Sequence, residues 1–347
     1  MKVLQAQLTI MLLWALSPTT LATEFTHYED DVATLLQEYR RDQYSGFQFD
    51  RGVEPSLLQM HDEQGGQVKA DFARGEINID AVSQAALQQS IVRLLLTQFD
   101  PNEIDIQTAN DFGLVNSSKK PFFYNQILDT DGKPIEFEWR AQRYAKHLLQ
   151  RSRYENGRYW VTIPMSANHT QIAGGKYVAF AQSASVRHQV PVSLVMAIME
   201  TESSFNPMAR SRSNALGLMQ VKANTAGRDY FALIKGYQHT PSAAYLYQPE
   251  SNIDLGAGYL RILQQRYLKG IDDPLKLEYA VIASYNGGSG NLWKSLNPQG
   301  NKRNAIARIN RMSSTDFYWF LTNRHNRKET QNYVKKVTAK QRKYLQL

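Results

Sequence analysis

The stretch Met199-Glu-Thr-Glu-Ser-Ser-Phe-Asn-Pro207, with Ser211-Arg-Ser-Asn-Ala-Leu-Gly-Leu-Met-Gln220 close behind it, decides how the rest of the chain is read. Ahead of it Val192, Val195, Met196 and Met199 recur at helical spacing, and Pro191 suits a first helical turn. A helix therefore runs into the stretch and ends near Glu202. A carboxyl at that end meets the negative pole of the helix dipole, which disfavours its ionised form. Shielding by Phe205, Leu218 and Met219 would push its pKa the same way and leave a proton donor near neutral pH. A glutamate near a helix end is, taken alone, most often an ordinary exposed acid. The weight falls on the words around it.

Reading outward toward the C-terminus, apolar positions keep the helical period from Tyr177 onward. Ile253, Ala257, Leu260 and Leu263 share one helix face, and Leu277, Ala280, Val281 and Ser284 form part of another. Toward the N-terminus the pattern changes. Val68, Ala70 and Phe72 alternate with polar residues, Arg74-Gly75 makes a turn, and Ile77 and Ile79 alternate again, which predicts a hairpin. Helices are expected over Ala85 to Phe99 and Ala141 to Gln150, and strands over Ile135 to Trp139 and Tyr159 to Pro164. Ser166-Ala-Asn168 and Gly174-Gly175 punctuate the change. The expectation is an α+β N-terminal domain over 23–170 and a mainly α domain over 171–347.

The first residues read as a separate segment. Lys2, the apolar run Leu8 to Leu16 and the small-residue ending Thr20-Leu-Ala22 have the form of a secretory signal peptide over 1–22. The sequence has no cysteine, so disulfides, thiolate chemistry and a cysteine-linked lipid are all outside its repertoire. A formal charge of +8 favours polyanions, of which nucleic acid is one and the carboxylate-rich cell wall another. Export favours the wall, and no nucleic-acid-binding motif is present. The seven histidines are scattered without a metal-ligand spacing, and there is no phosphate-binding glycine loop, so neither metal nor cofactor is implied.

Four words stand in order along the second half: Glu202-Ser-x-Phe-Asn-Pro207, then Ser211-x-Ser-x-Ala-x-Gly-Leu-Met-Gln220, Ser284-Tyr-Asn-Gly-Gly288 and Glu329-Thr-Gln-Asn-Tyr-Val334. Together they resemble the lytic transglycosylases of the soluble-lytic, goose-lysozyme-like superfamily. Val68 to Ile79, Lys120-Pro-Phe-Phe-Tyr124 and Gly132-Lys-Pro-Ile135 are similar to the N-terminal domain of the membrane-bound murein transglycosylase C type. The resemblance implies a lysozyme-like catalytic domain, with peptidoglycan glycan strands as the substrate and a periplasmic place of work. It leaves cell-wall synthesis or division proteins open as partners. It also implies roles: Glu202 as the catalytic acid, Tyr333 approaching the reaction centre, Ser211, Ser213 and Gln220 lining a glycan groove, and Met219, Tyr285 and Asn286 beside it. Two departures stand out. Thr23 follows the expected cleavage site where such lipoproteins carry cysteine, and Gln331 stands where many relatives have arginine.

Glycosidases ordinarily pair two carboxyls. Glu200 is two residues from Glu202 and points elsewhere on a helix, while Asp229, Asp254 and Glu278 reach the centre only if tertiary structure brings them there. One acid suffices in the chemistry of the resembling family, in which the muramic acid's own acetamido group and 6-hydroxyl complete a non-hydrolytic cleavage to a 1,6-anhydro end. A lysozyme-type hydrolase and a wall-binding protein without turnover are the alternatives. The leader makes its own prediction: N-terminal sequencing of the exported protein should begin at Thr23, and Met1 at that terminus would refute it.

Overall fold

The computed structural model describes residues 47–49, 54–62, 64–97 and 120–347, so the expected leader lies outside the described residues. Gln48–Leu347 form one compact unit. The first half of the described residues is built on the strands Phe47–Phe49 (β1), Leu57–Asp62 (β2), Gln67–Asp71 (β3), Glu76–Ala81 (β4), Arg153–Glu155 (β5) and Arg158–Pro164 (β6), in the order β1-β2-β3-β4-β6-β5. The predicted hairpin is present. β3 and β4 pair antiparallel with Val68 opposite Ile79, and Gly75 makes the turn at a φ of 70°. That left-handed angle suits glycine, and a side chain there would also meet the ring of His169.

The helix Gln84–Leu96 (α1) starts where Ser83 caps it, its side chain accepting from the Ala86 N–H. Leu87, Ile91, Leu94 and Leu95 cover the sheet-facing side and are buried. The helix Glu138–Leu149 (α2) packs beside it. Here the expected strand over Ile135 to Trp139 gives way. Ile135 is buried and Phe137 is extended, but α2 begins at Glu138 and takes Trp139 into its first turn. Arg140 and Arg143 reach back to the Asp129 carboxylate, which fixes the helix start against the 129–133 turn and overrides the alternation of apolar residues.

The second half is helical: His169–Gly175 (α3), Val178–His188 (α4), Val192–Glu202 (α5), Pro249–Ile262 (α6), Pro274–Gly287 (α7) and Lys328–Gln341 (α8), with shorter helices between α7 and α8. α5 is buried on every side from Ser193 to Glu200, rather than on the single stripe that the sequence suggested, because α4, α6 and α8 all pack on it.

Two details join the halves. α3 runs across residue 170, and its Gly174 lies against the Phe205 ring, so closely that a Cβ would sit 2.9 Å from Cζ. Gly174 thus permits close packing instead of breaking the chain. Asn206, fully buried, donates from Nδ2 to the Pro55 carbonyl at 2.9 Å and to the Leu57 carbonyl at 3.2 Å, tying the loop after Glu202 to β2. Removing that amide takes a donor from two half-buried carbonyls, a loss of about 1 kcal/mol for a hydrogen bond. Asn206→Ala should lower unfolding stability by that amount in denaturant titration. A change below about 0.5 kcal/mol, the usual effect of a featureless surface site, would show the tether to be idle.

Candidate active site

Glu202 is the last residue of α5, as the sequence predicts, and the chain turns away from it abruptly. Ser204 and Phe205 both take left-handed φ angles, 53° and 63°, a costly conformation for residues with side chains. Three anchors hold it. The Phe205 ring is buried, Asn206 is tethered to β2, and Ser203 donates from Oγ to the carbonyls of Met199 and Leu218. The second sequence word is thereby brought back over the end of α5.

Tyr333 comes from α8, which packs along α5. Its hydroxyl donates to Glu202 Oε1 at 2.7 Å. Burial pushes the Glu202 carboxyl from its ordinary 4.5 up to about 7. The Tyr333 hydrogen bond and the Lys222 charge pull the other way, and the Glu329 carboxylate adds to the rise. The residue as a whole is half-buried, with its carboxyl enclosed, and the carboxyl's surroundings set the pKa. Burial also holds the Tyr333 and Tyr285 hydroxyls well above their ordinary range, so both remain donors.

A second contact fixes α8 against α5. Lys340 donates to the Glu200 carbonyl at 2.7 Å, while the buried Glu200 carboxylate accepts from Lys343 at 2.8 Å and from Tyr344 at 2.6 Å. Glu200 is therefore a clamp between the two helices that carry Glu202 and Tyr333.

The remaining predicted residues divide by where their polar atoms go. Ser213 is exposed and stands with Lys222 in the wall of a cavity of about 690 Å³ between β2 and residues 208–225. Ser211 Oγ is engaged within its own loop, accepting from the Ala215 N–H at 3.0 Å and bonded to Ser213 Oγ at 3.1 Å. Gln220 donates from Nε2 to the carbonyls of Ala209 and Gly217, and so pins the loop from within. The Met219 side chain is turned into the core against Gly256, and its carbonyl accepts from the Tyr285 hydroxyl at 2.8 Å. Asn286 bridges two helices, its Nδ2 donating to Glu329 and its Oδ1 accepting from Thr330. Gln331 is buried, with Nε2 donating to the His325 carbonyl at 2.7 Å and Oε1 accepting from Lys328, so a lysine one turn away supplies the nearby cation.

None of the other acids considered from sequence acts on Glu202. Asp254 is held well below the usual carboxylate range despite its burial, by His188 at 2.8 Å and by Tyr230 and Arg187. Asp229 accepts from the Tyr267 hydroxyl, and Glu278 is raised by burial away from Glu202. The acid whose charge reaches Glu202 is Glu329, which sequence reasoning passed over. Asn252 was missed as well. It is fully buried in α6, accepts from the Met219 N–H at 2.8 Å and donates to the carbonyls of Leu216 and Leu246. An asparagine amid Ile253, Leu255 and Ala257 was its only signal. Among the described residues no group of three or more histidine, aspartate or glutamate side chains is arranged to hold a metal ion.

Comparison with known proteins places this geometry in a class. Residues 179–307 match the Transglycosylase SLT domain, so the helical half is a lytic transglycosylase domain. Residues 54–176 match the N-terminal domain of membrane-bound lytic murein transglycosylase C, and the two matches meet inside the segment that leads from α3 to α4. Proteins of that name from Yersinia pestis (strain Pestoides F) and Yersinia pseudotuberculosis serotype O:1b (strain IP 31758) are each 43% identical over 283 residues, covering 79% of this chain and 78% of theirs. The chain belongs to the membrane-bound lytic murein transglycosylase C family. Among solved structures, the 70 kDa soluble lytic transglycosylase of Escherichia coli is 26% identical, with a TM-score of 0.38 over 48% of this chain and 24% of that one. No described helix is long and apolar enough to cross a membrane.

The raised carboxyl can be tested in two ways. A group whose pKa is higher folded than unfolded favours the fold below its unfolded value and loses that advantage as pH rises through about 7. Glutamine cannot ionise. Wild type should therefore be less stable relative to Glu202→Gln at pH 8 than at pH 5 in thermal unfolding, and a pH-independent difference would contradict the buried carboxyl. Tyr333→Phe removes a bond that favours the carboxylate, so the alkaline fall of activity should move to higher pH while the rate drops. An unmoved pH limb would show that the hydroxyl does not govern Glu202.

Proposed function

We propose that Glu202 is the single catalytic acid and base of this peptidoglycan lytic transglycosylase. The observation that carries the reading is an enclosed carboxyl with a pKa of about 7 whose Oε1 accepts a 2.7 Å hydrogen bond from Tyr333. Protonated Glu202 gives its proton to the oxygen between N-acetylmuramic acid and N-acetylglucosamine, and the glycosidic bond breaks. The acetamido carbonyl of the muramic acid supports the charge that develops at the anomeric carbon. Glu202, now a carboxylate, takes the proton of that sugar's 6-hydroxyl as the oxygen closes on the anomeric carbon. The products are a free N-acetylglucosamine hydroxyl and a 1,6-anhydro muramic acid end, with no water consumed and Glu202 protonated again.

Tyr333 orients the carboxyl and supports its ionised state midway, which matches a group that must both give and receive a proton within one turnover. Lys222 and Glu329 set opposing fields on it, so its pKa rests on a balance. Ser213, in the cavity wall beside Lys222, is the predicted groove serine best placed to meet an acetamido or hydroxyl group of the glycan, while Ser211 and Gln220 shape the loop that presents it. The chain works in the cell envelope, and we place it in the periplasm after removal of residues 1–22.

The test is product chemistry. Wild-type digests of purified peptidoglycan should give muropeptides lighter by one water than hydrolysis products. Glu202→Gln should fold and lose ~10² to 10⁴ in rate, the usual weight of general acid–base catalysis. Reducing-end muramic acid as the sole product would make the chain a hydrolase, and full activity in Glu202→Gln would remove the mechanism.

A further inference from the structure

The sheet edge formed by β6 and β5 lies away from the catalytic loop. Asn206 is tied beside β2, and β6 stands three strand spacings farther on, ~14 Å at the usual ~4.8 Å per strand. At that far edge a cleft of about 840 Å³ opens between the end of α2, residues 128–130 and the β5-β6 hairpin. Its size is that of a site for a small ligand.

The lining combines aromatic walls with free cations. Tyr144 is buried in the floor and stacks on His147, with ring centroids 6.4 Å apart. Trp160 is 38% exposed in the wall. Arg151 and Arg153 are exposed at the rim, and neither guanidinium has an ion pair or hydrogen bond among the described residues. Two acids also line the cleft. Asp129 is already engaged by Arg140, by Arg143 at 2.7 Å and by the N–H groups of Asp131 and Lys133 at 2.9 Å. Glu155 is exposed and opposes the arginines, which outnumber it.

We propose that this cleft is a second, non-catalytic binding site that takes an acidic peptide, its carboxylates held by Arg151 and Arg153 and its apolar part laid against Trp160 and Tyr144. Guanidinium groups match carboxylates with paired N–H donors, and unpaired ones at a concave rim gain most from such a ligand. The identity of the peptide rests on the proposed function. Where a stem peptide is attached, its amide bond takes up the muramic acid's lactyl carboxyl, so the remaining carboxylates are those of the stem. The N-terminal half would then grip a stem while the helical half works on the glycan.

Isothermal titration of the full chain with the tetrapeptide Ala–γ-Glu–diaminopimelate–Ala tests this, since that probe contains no glycosidic bond. The acidic peptide should bind, and the same peptide with its carboxylates amidated should bind at least ~10-fold more weakly, the weight of one charge-assisted hydrogen bond. Arg151→Ala/Arg153→Ala should show the same loss while cleaving peptide-free glycan strands at the wild-type rate. Glu155→Gln should tighten binding, a sign that damage to the fold would not produce. Equal binding of the amidated peptide, unchanged binding in the double variant, or inorganic phosphate binding as tightly as the peptide would each overturn the proposal. Failure of peptide binding with glycan cleavage intact would sink this site alone, whereas failure of cleavage in the wild type would sink the catalytic reading.

Discussion

One hydrogen bond, from the Tyr333 hydroxyl to Glu202 Oε1, is the constraint around which the helical half is arranged. Burial alone would make the carboxyl slow to give up its proton, because the charged form has no water to stabilise it. An exposed carboxyl would be a poor acid at neutral pH. The tyrosine donor allows the group to be enclosed and still accept ionisation, and α5 and α8 must be packed in one register for that bond to form. The buried helix, the clamp at Glu200 and the packing of α4 and α6 all maintain that register.

The loop after Glu202 shows how local strain is held by distant groups. Two consecutive left-handed residues swing the chain back over the end of α5, and asparagine amides fasten the returning segment on either side. Asn206 holds the near side to β2 and Asn252 holds Leu216 and Met219 on the far side. The amide suits this work because it offers donors and an acceptor at once, so one buried side chain satisfies several backbone groups of an irregular segment. The N-terminal sheet is part of that scaffold, since Asn206 from the loop after Glu202 ends on its backbone.

Periodicity made the two kinds of architecture legible. Alternation at Val68, Ala70, Ile77 and Ile79 found the hairpin, and the spacing ahead of Glu202 found α5 and its end. It misled at Ile135 to Trp139, where the outcome turned on Arg140 and Arg143 reaching Asp129, a contact that no local pattern encodes. The candidate site divides in the same manner. Glu202 and Tyr333 stood out through the words around them, but their meeting is a tertiary fact. Ser211, Met219 and Gln220 stand in the same word as Ser213, yet Ser211 Oγ bonds within its own loop, the Met219 side chain packs on the core, and Gln220 commits its Nε2 to the loop while its Oε1 has no partner among the described residues. Sequence words identify a loop as important without dividing its residues between those that contact a ligand and those that hold the backbone. Glu329 and Lys222 act on Glu202 through space, and a charge at that range has no sequence signature.

The Glu202–Tyr333 bond also has a bearing on the order of folding. Its partners are 131 residues apart, and the Glu200 clamp spans 143 and 144. Contacts of such separation close only after the intervening helices have condensed, because the entropy of bringing the ends together must be offset by packing already in place. α5 can form early from its own neighbours, but its carboxyl lacks its donor until α8 docks. A partly folded chain therefore carries Glu202 without its hydrogen-bond donor. In a family that acts on the wall that keeps a cell intact, the Glu202–Tyr333 pair is assembled only with the completed fold.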